Sequence, residues 1–321
     1  MLIFKVTLFF TEDKMETHKS YLKFLISLVL FGSNGIAASF ISLKSFDIVL
    51  LRTFIGSIFI ISVFLIGKNK FIFYKHKKDS LFVFISGVAL CMSWIFLYES
   101  YNLSGIGMAT LIYYCGPVFV ILVSPFVFKE KFTNNKLMGI FLVLIGMVLI
   151  NFKAFSKNGL SKGSFLAFIS ALFFAVMTIS NKKSNTVVGF ECSCLQLVSA
   201  FAVTAVYCFC KHGIYLSVKT SDILPLLFIG VINTGIGCWF YFSSMHDIPS
   251  QTLSVLGYIE PLSAVLFSAF FIHESLYSLQ IAGGLLILGG SAFTALSESK
   301  PSIRFKTVKV PYLSFSHSPL K

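Results

Sequence analysis

One carboxylate stands out by its neighbours. Glu260 lies beside Pro261 within an apolar run, GYIEPLSAVLFSAFFIHE, from Gly257 to Glu274. An ionised Asp or Glu at the centre of a bilayer costs on the order of 3 kcal/mol, so it is retained facing a partner, a cavity or a ligand rather than lipid. The plain alternative is a protonated carboxyl hydrogen-bonded inside a helix bundle; the chemical one is binding of a proton or a substrate cation. Pro261 adds a second feature. A proline within a helix removes one amide donor and frees a carbonyl one turn back, here that of Gly257, and Pro117 does the same to Tyr113. Breaks at matching places in two repeats point to a transport site and a pair of hinges, Pro117 and Pro261; a kink that only improves packing is the bland reading.

Helical spacing puts Gly257, Glu260 and Ala264 on one face, and Tyr113 and Gly116 on the equivalent face of the earlier segment. Tyr113 is expected to fill the room over Gly257, near Glu260, whereas Tyr258 points elsewhere. Trp94, Tyr98 and Tyr101 share one helical face, and Trp239 holds the corresponding place in the second half. Such stripes are usually packing. Converging on a buried carboxylate, they suit a substrate bearing an amine or another cation. Asn34, between Gly32 and Gly35, and Asn233, between Gly230 and Gly237, are the remaining mid-helix polar candidates, with interhelical hydrogen bonding as their simpler role. Arg52, near a helix end, is expected to snorkel to the interface, an outer gate being the alternative.

Nothing suggests an enzyme. The chain has no G-x-S-x-G, H-E-x-x-H or Walker loop, and its six histidines fall near helix ends or in tails. The C-x-C pairs Cys192/Cys194 and Cys208/Cys210 are about 24 Å apart along a helix, too far to share a tetrahedral metal. Catalytic residues, metal and cofactor are therefore all expected to be none, and the seven cysteines to be packing thiols.

The elements that must position these groups are membrane helices. Charged residues are 12% of the chain against a usual quarter or so, and 56% are hydrophobic. At about 20 apolar residues per span the length accommodates ten helices, placed near 21–43, 46–67, 80–99, 105–128, 136–152, 161–181, 193–210, 222–243, 251–272 and 277–297. The net charge of +13 comes from loops and tails, so it argues for topology and against nucleic acid. With both termini inside, 19 of the 26 lysines and arginines fall on the cytoplasmic side, which makes that the better orientation.

The chain is also a duplication. Tyr114, Pro117, Ser124, Glu130, Gly139 and Gly146 recur 144 positions later as Tyr258, Pro261, Ser268, Glu274, Gly283 and Gly290, while Gly116 faces Glu260. Five helices per copy is an odd number, so the second copy enters the membrane inverted. The expected organisation is a cytoplasmic tail at 1–20, repeats at 21–152 and 161–297, and a basic cytoplasmic tail at 298–321, with Met15 as an alternative start. The paired glycines are expected to let the fifth and tenth helices pack closely.

YYCGPVFVILVSPFVFKE at 113–130 and GYIEPLSAVLFSAFFIHE at 257–274, with FGSNG at 31–35 and NTGIGCWFYFSS at 233–244, together resemble the EamA family of the drug/metabolite transporter superfamily. The resemblance covers about 21–297. It implies an all-α integral membrane protein of ten transmembrane helices in two inverted five-helix repeats. It further implies a secondary carrier working by alternating access in the cell membrane, with a central cavity between the halves. Members move amino acids, nucleotide-derived metabolites and drugs, so amino acids or related polar or cationic compounds are the expected substrates. The expected partners are that small molecule and the lipid bilayer, with protons as a candidate coupling ion and a homodimer as a candidate assembly. A membrane-embedded sensor or enzyme on the same bundle is the alternative.

Overall fold

The computed structural model describes residues 18–104, 106–150, 152, 162–212, 218–271 and 277–296. The C-terminal tail, nearly all of the N-terminal one, and Glu274 lie outside the described residues. Among the described residues the chain forms ten principal helices and no strand. They are α1 (His18–Ser39), α2 (Ser45–Ile66), α3 (Lys77–Ser104), α4 (Met108–Phe128), α5 (Asn134–Ile150), α6 (Lys162–Lys183), α7 (Gly189–His212), α8 (Thr220–Ser244), α9 (Ser250–Phe271) and α10 (Ser278–Leu296). Eight are long and apolar enough to cross a membrane; α5 and α10 contain the two shorter apolar stretches. The outward faces carry side chains suited to lipid, such as Phe126 at 86% exposure and Leu296 at 85%. Several helices overrun the sequence-based bounds. α3 begins at Lys77 and ends at Ser104, where Lys78, Asp79, Glu99 and Asn102 lower the local hydropathy without breaking the helix.

Packing follows the pseudo-two-fold relation of the repeats. α2 lies against α7 and α5 against α10, each meeting its own repeat mate, while α3 meets α7 as α8 meets α2. The α5–α10 crossing shows what the paired glycines do. A Cβ on Gly146 would stand 2.6 Å from the carbonyl oxygen of Gly283, and one on Gly283 would stand 2.6 Å from that of Gly146. Only hydrogen side chains allow the two backbones to touch there.

Both prolines sit at real breaks. α4 breaks between Tyr113 and Gly116, and α9 divides into Ser250–Leu256 and Ile259–Phe271. The carbonyl that Pro261 leaves free, that of Gly257, instead accepts the Glu260 amide at 3.2 Å in a tighter turn. The two breaks also meet each other. The Tyr258 hydroxyl donates to the Tyr114 carbonyl oxygen at 2.7 Å, joining residues that are repeat equivalents. Tyr258 is 1% exposed and does not line the cavity that holds Glu260: an unpaired carbonyl at a break in a membrane must find a donor, and this hydroxyl, pointing away from Glu260, is that donor.

α8 carries a change of pitch that the periodicity did not reveal. From Phe228 to Gly237 it widens into π-type hydrogen bonding. Such stretches shift the phase of every residue beyond them and recur at functional sites.

Candidate functional site

The cavity at the centre is lined by one acid, one base and a wall of aromatic rings. Phe31 and Asn34 come from α1, Arg52 from α2, Trp94 from α3, Tyr113 from α4, Phe174 from α6, Tyr241 and Phe242 from α8, and Glu260 from α9. Its volume is about 50 Å³, room for roughly four waters at about 10–15 Å³ each. A solute with more than a handful of heavy atoms therefore enters only as the walls move.

Glu260 sits in the first turn after the α9 break and keeps partial access to the cavity. α1 comes against α9 one turn further along: a Cβ on Gly32 would clash with the Ser263 side chain, so glycine there lets the two helices close beside Glu260. The other acids of this kind hold loop or helix-end groups. Glu130 accepts the Ser250 amide at 2.7 Å and the Gln251 amide at 3.0 Å, Glu191 the amides of Ile72 and Phe73, Asp79 those of Asn185 and Thr186, and Asp222 that of Ser42. Glu260 is the carboxylate that lines the cavity.

Arg52 is where the structure departs most from the sequence reading. It does not snorkel. It is 3% exposed, turned inward, with Nε donating to Thr234 Oγ1 at 2.9 Å and Nη2 to Asn34 Oδ1 at 3.3 Å, and its guanidinium lies 4.5 Å from the centre of the Trp94 ring. The π-type stretch of α8 carries Thr234 to it. Asn233, fully buried beside Thr234, donates to Asn34 Oδ1 at 2.9 Å and to Ser33 Oγ at 3.0 Å, fixing the asparagine that receives Arg52. The cation over Trp94 is thus the chain's own.

The structure brings Glu260, Tyr113, Trp94 and Asn34 to one cavity, with Pro117 and Pro261 at the two breaks. It places the other candidates elsewhere. Tyr98 packs edge-on against Tyr101 at 5.5 Å, and Trp239 stacks on Phe190 at 4.3 Å. Asn233 stands behind the wall as the partner of Asn34. Tyr113 does not fill the space over Gly257. Its ring meets Phe174 and Tyr114, while the nearest atoms to a Cβ on Gly257 belong to the backbone of Leu253 and Ser254. No cluster of three metal-ligating side chains occurs among the described residues. The seven cysteines are free; Cys115 and Cys210 are exposed and the other five buried.

A duplicated bundle of membrane helices, broken twice at its centre around a charged cavity, defines a multi-pass membrane transport protein. The chain belongs to the EamA-like transporter family, whose family model matches it twice, over 18–152 and 161–296. Among similar proteins, the uncharacterized transporter YxxF of Bacillus subtilis is 25% identical over 278 residues, covering 85% of this chain and 88% of its own length. The uncharacterized inner membrane transporter YicL of Salmonella typhimurium is 26% identical over 89% of this chain and 98% of its own. A probable amino-acid metabolite efflux pump, also from Salmonella typhimurium, is 24% identical over 57% of this chain and 65% of its own. A crystal structure of 19% sequence identity superposes with a TM-score of 0.75 over 87% of this chain and 96% of that one, a likeness of fold.

Proposed function

We infer that this protein is a secondary transporter that carries amino acids or related polar or cationic metabolites across the cytoplasmic membrane by alternating access. The observation that carries this reading is the position of Glu260: a carboxylate beside a helix break, open to a cavity between two inverted repeats. Glu260 binds a substrate cation or a proton, and the halves of α4 and α9 rock about Pro117 and Pro261. The likeness to a probable amino-acid metabolite efflux pump supports the substrate class.

The contacts between α4 and α9 support a particular state. The far half of α4 and the residues just after it are tied to the near half of α9 by Glu130 on the Ser250 and Gln251 amides and by Gln251 Nε2 donating to Ser124 Oγ at 3.1 Å. Given the lysine bias, this tied end is the cytoplasmic one, so the cavity stands closed to the cytoplasm. Cysteine labelling of intact cells tests the orientation: a residue placed in the 68–79 loop is expected to resist a membrane-impermeant reagent added outside.

Proteoliposomes loaded with a pH-reporting dye test the rest. Challenged with pools of amino acids, amines and neutral metabolites, the wild-type protein is expected to admit solute, with a proton flux that Glu260→Gln abolishes. Wild-type transport of every pool by Glu260→Ala would make the carboxylate structural.

A further inference from the structure

We propose that Arg52 is the anchor for a substrate carboxylate, so that the cavity recognises zwitterionic α-amino acids by both ends, the acid at Arg52 and the ammonium at Glu260. The inference rests on the transporter reading above and narrows its substrate class.

Arg52 is almost fully buried yet only partly paired. A guanidinium has five N–H donors in a fixed fork. One is taken by Thr234 and one by Asn34; the remaining three find no acceptor among the described residues, and the residue lines the cavity. A buried charge with open donors is costly, and aromatic contact with Trp94 satisfies none of them. Three ordinary explanations fail. The residue is too buried to be snorkelling at 3% exposure. It is not a counter-ion held against Glu260, because no ion pair within 4.0 Å joins the two, although both line one cavity. Nor is it a helix-packing device, since Thr234 and Asn34 orient it and leave its free edge open.

That geometry has a chemical complement. Two opposite charges facing a shared space without touching match a ligand carrying both charges in the reverse order. The planar fork favours a carboxylate taken by two parallel hydrogen bonds, which a lysine ammonium cannot reproduce. Phe31, Phe174 and Phe242 then surround the part of the ligand between or beyond its charged groups.

The test is binding to the full chain in lipid nanodiscs by calorimetry, using L-leucine and L-phenylalanine, their decarboxylated amines isoamylamine and phenethylamine, and their deaminated acids 4-methylpentanoate and 3-phenylpropanoate. For wild type, loss of the carboxylate is expected to weaken binding roughly tenfold or more. Arg52→Gln is expected to weaken the amino acids by a similar factor while leaving the amines unchanged, and Arg52→Lys to fall between. Amines binding wild type as tightly as the amino acids would overturn the role of Arg52 and leave the transporter reading standing. Acids binding as tightly as amino acids would support Arg52 and remove Glu260 as the ammonium site. Wild type binding none of the six would remove the substrate class and the proposal together. The comparison of ligands on wild type holds even if Arg52→Gln fails to fold.

Discussion

Glu130→Gln is the sharpest test of how the start of α9 is held. The Glu130 carboxylate accepts the first two amides of α9, at 2.7 and 3.0 Å, and stands 3.8 Å from the Lys182 ammonium. Hydrogen bonds to charged groups are worth about 1.5–3 kcal/mol against about 0.5–1.5 for neutral ones, so neutralising the acceptor removes roughly 1 kcal/mol from each bond. With the side chain 15% exposed the total falls to about 1–2 kcal/mol, or roughly a five- to thirtyfold change in an opening equilibrium. Hydrogen–deuterium exchange reads this directly: amides in 250–256 are expected to exchange faster by that factor in Glu130→Gln, with α3 unaffected. An unchanged rate at 250–256, or equal acceleration throughout the bundle, would refute the idea that this carboxylate specifically clamps α9.

Three further outcomes follow from the geometry. Gly146→Ala drives a methyl into the Gly283 carbonyl and is expected to lower stability by about 1–3 kcal/mol in detergent melts, whereas Gly289→Ala, which meets nothing within 4 Å, leaves the melting temperature unchanged. Tyr258→Phe removes the donor to the Tyr114 carbonyl and is expected to cost about 1–3 kcal/mol in unfolding titrations, since both groups are buried. His246, in the loop between α8 and α9, is held down at about 4 by burial and then by the Lys182 ammonium. The unfolded chain therefore binds the extra proton between about pH 6.5 and 4, so the stability present above that range is lost as pH falls through it. His246→Asn is expected to flatten this part of the pH–stability curve.

The helices, the duplication and the two breaks were legible because each leaves a local mark: apolar runs of spanning length, residues recurring at a fixed offset, and prolines inside those runs. Glu260 was legible for the same reason, being the exception within its segment. The glycine stripes of α5 and α10 were legible as spacing, and the structure adds that the two stripes face each other. Arg52 was not. Its position near a helix end fits snorkelling equally well, and what turns it inward, Thr234, lies 182 positions away on a helix whose pitch changes. Analogy with Trp94 misplaces Trp239: at the offset of 144 the position equivalent to Trp94 is Cys238, which lines the cavity, while Trp239 stacks on Phe190. Tyr98 shares a stripe with Trp94 but not its surroundings, since Tyr101 supplies its neighbour.

The paired tyrosines carry an energetic meaning for a duplicated carrier. If the two repeats were identical, swapping their conformations would yield a mirror state of equal free energy, and the carrier would rest open to either side alike. Tyr114 and Tyr258 are repeat equivalents yet do different work: the Tyr258 hydroxyl donates across the centre to the Tyr114 carbonyl oxygen, and no converse bond from the Tyr114 hydroxyl to the Tyr258 carbonyl occurs among the described residues, while the carboxyl of Glu260 stands where the first repeat has Gly116. A swapped state would exchange that bond for its converse and would find no carboxyl at Gly116. Under the alternating-access reading proposed above, the Glu260/Gly116 pair is one unmatched position that sets the two directions apart, and a ligand or proton on Glu260 would act on that difference.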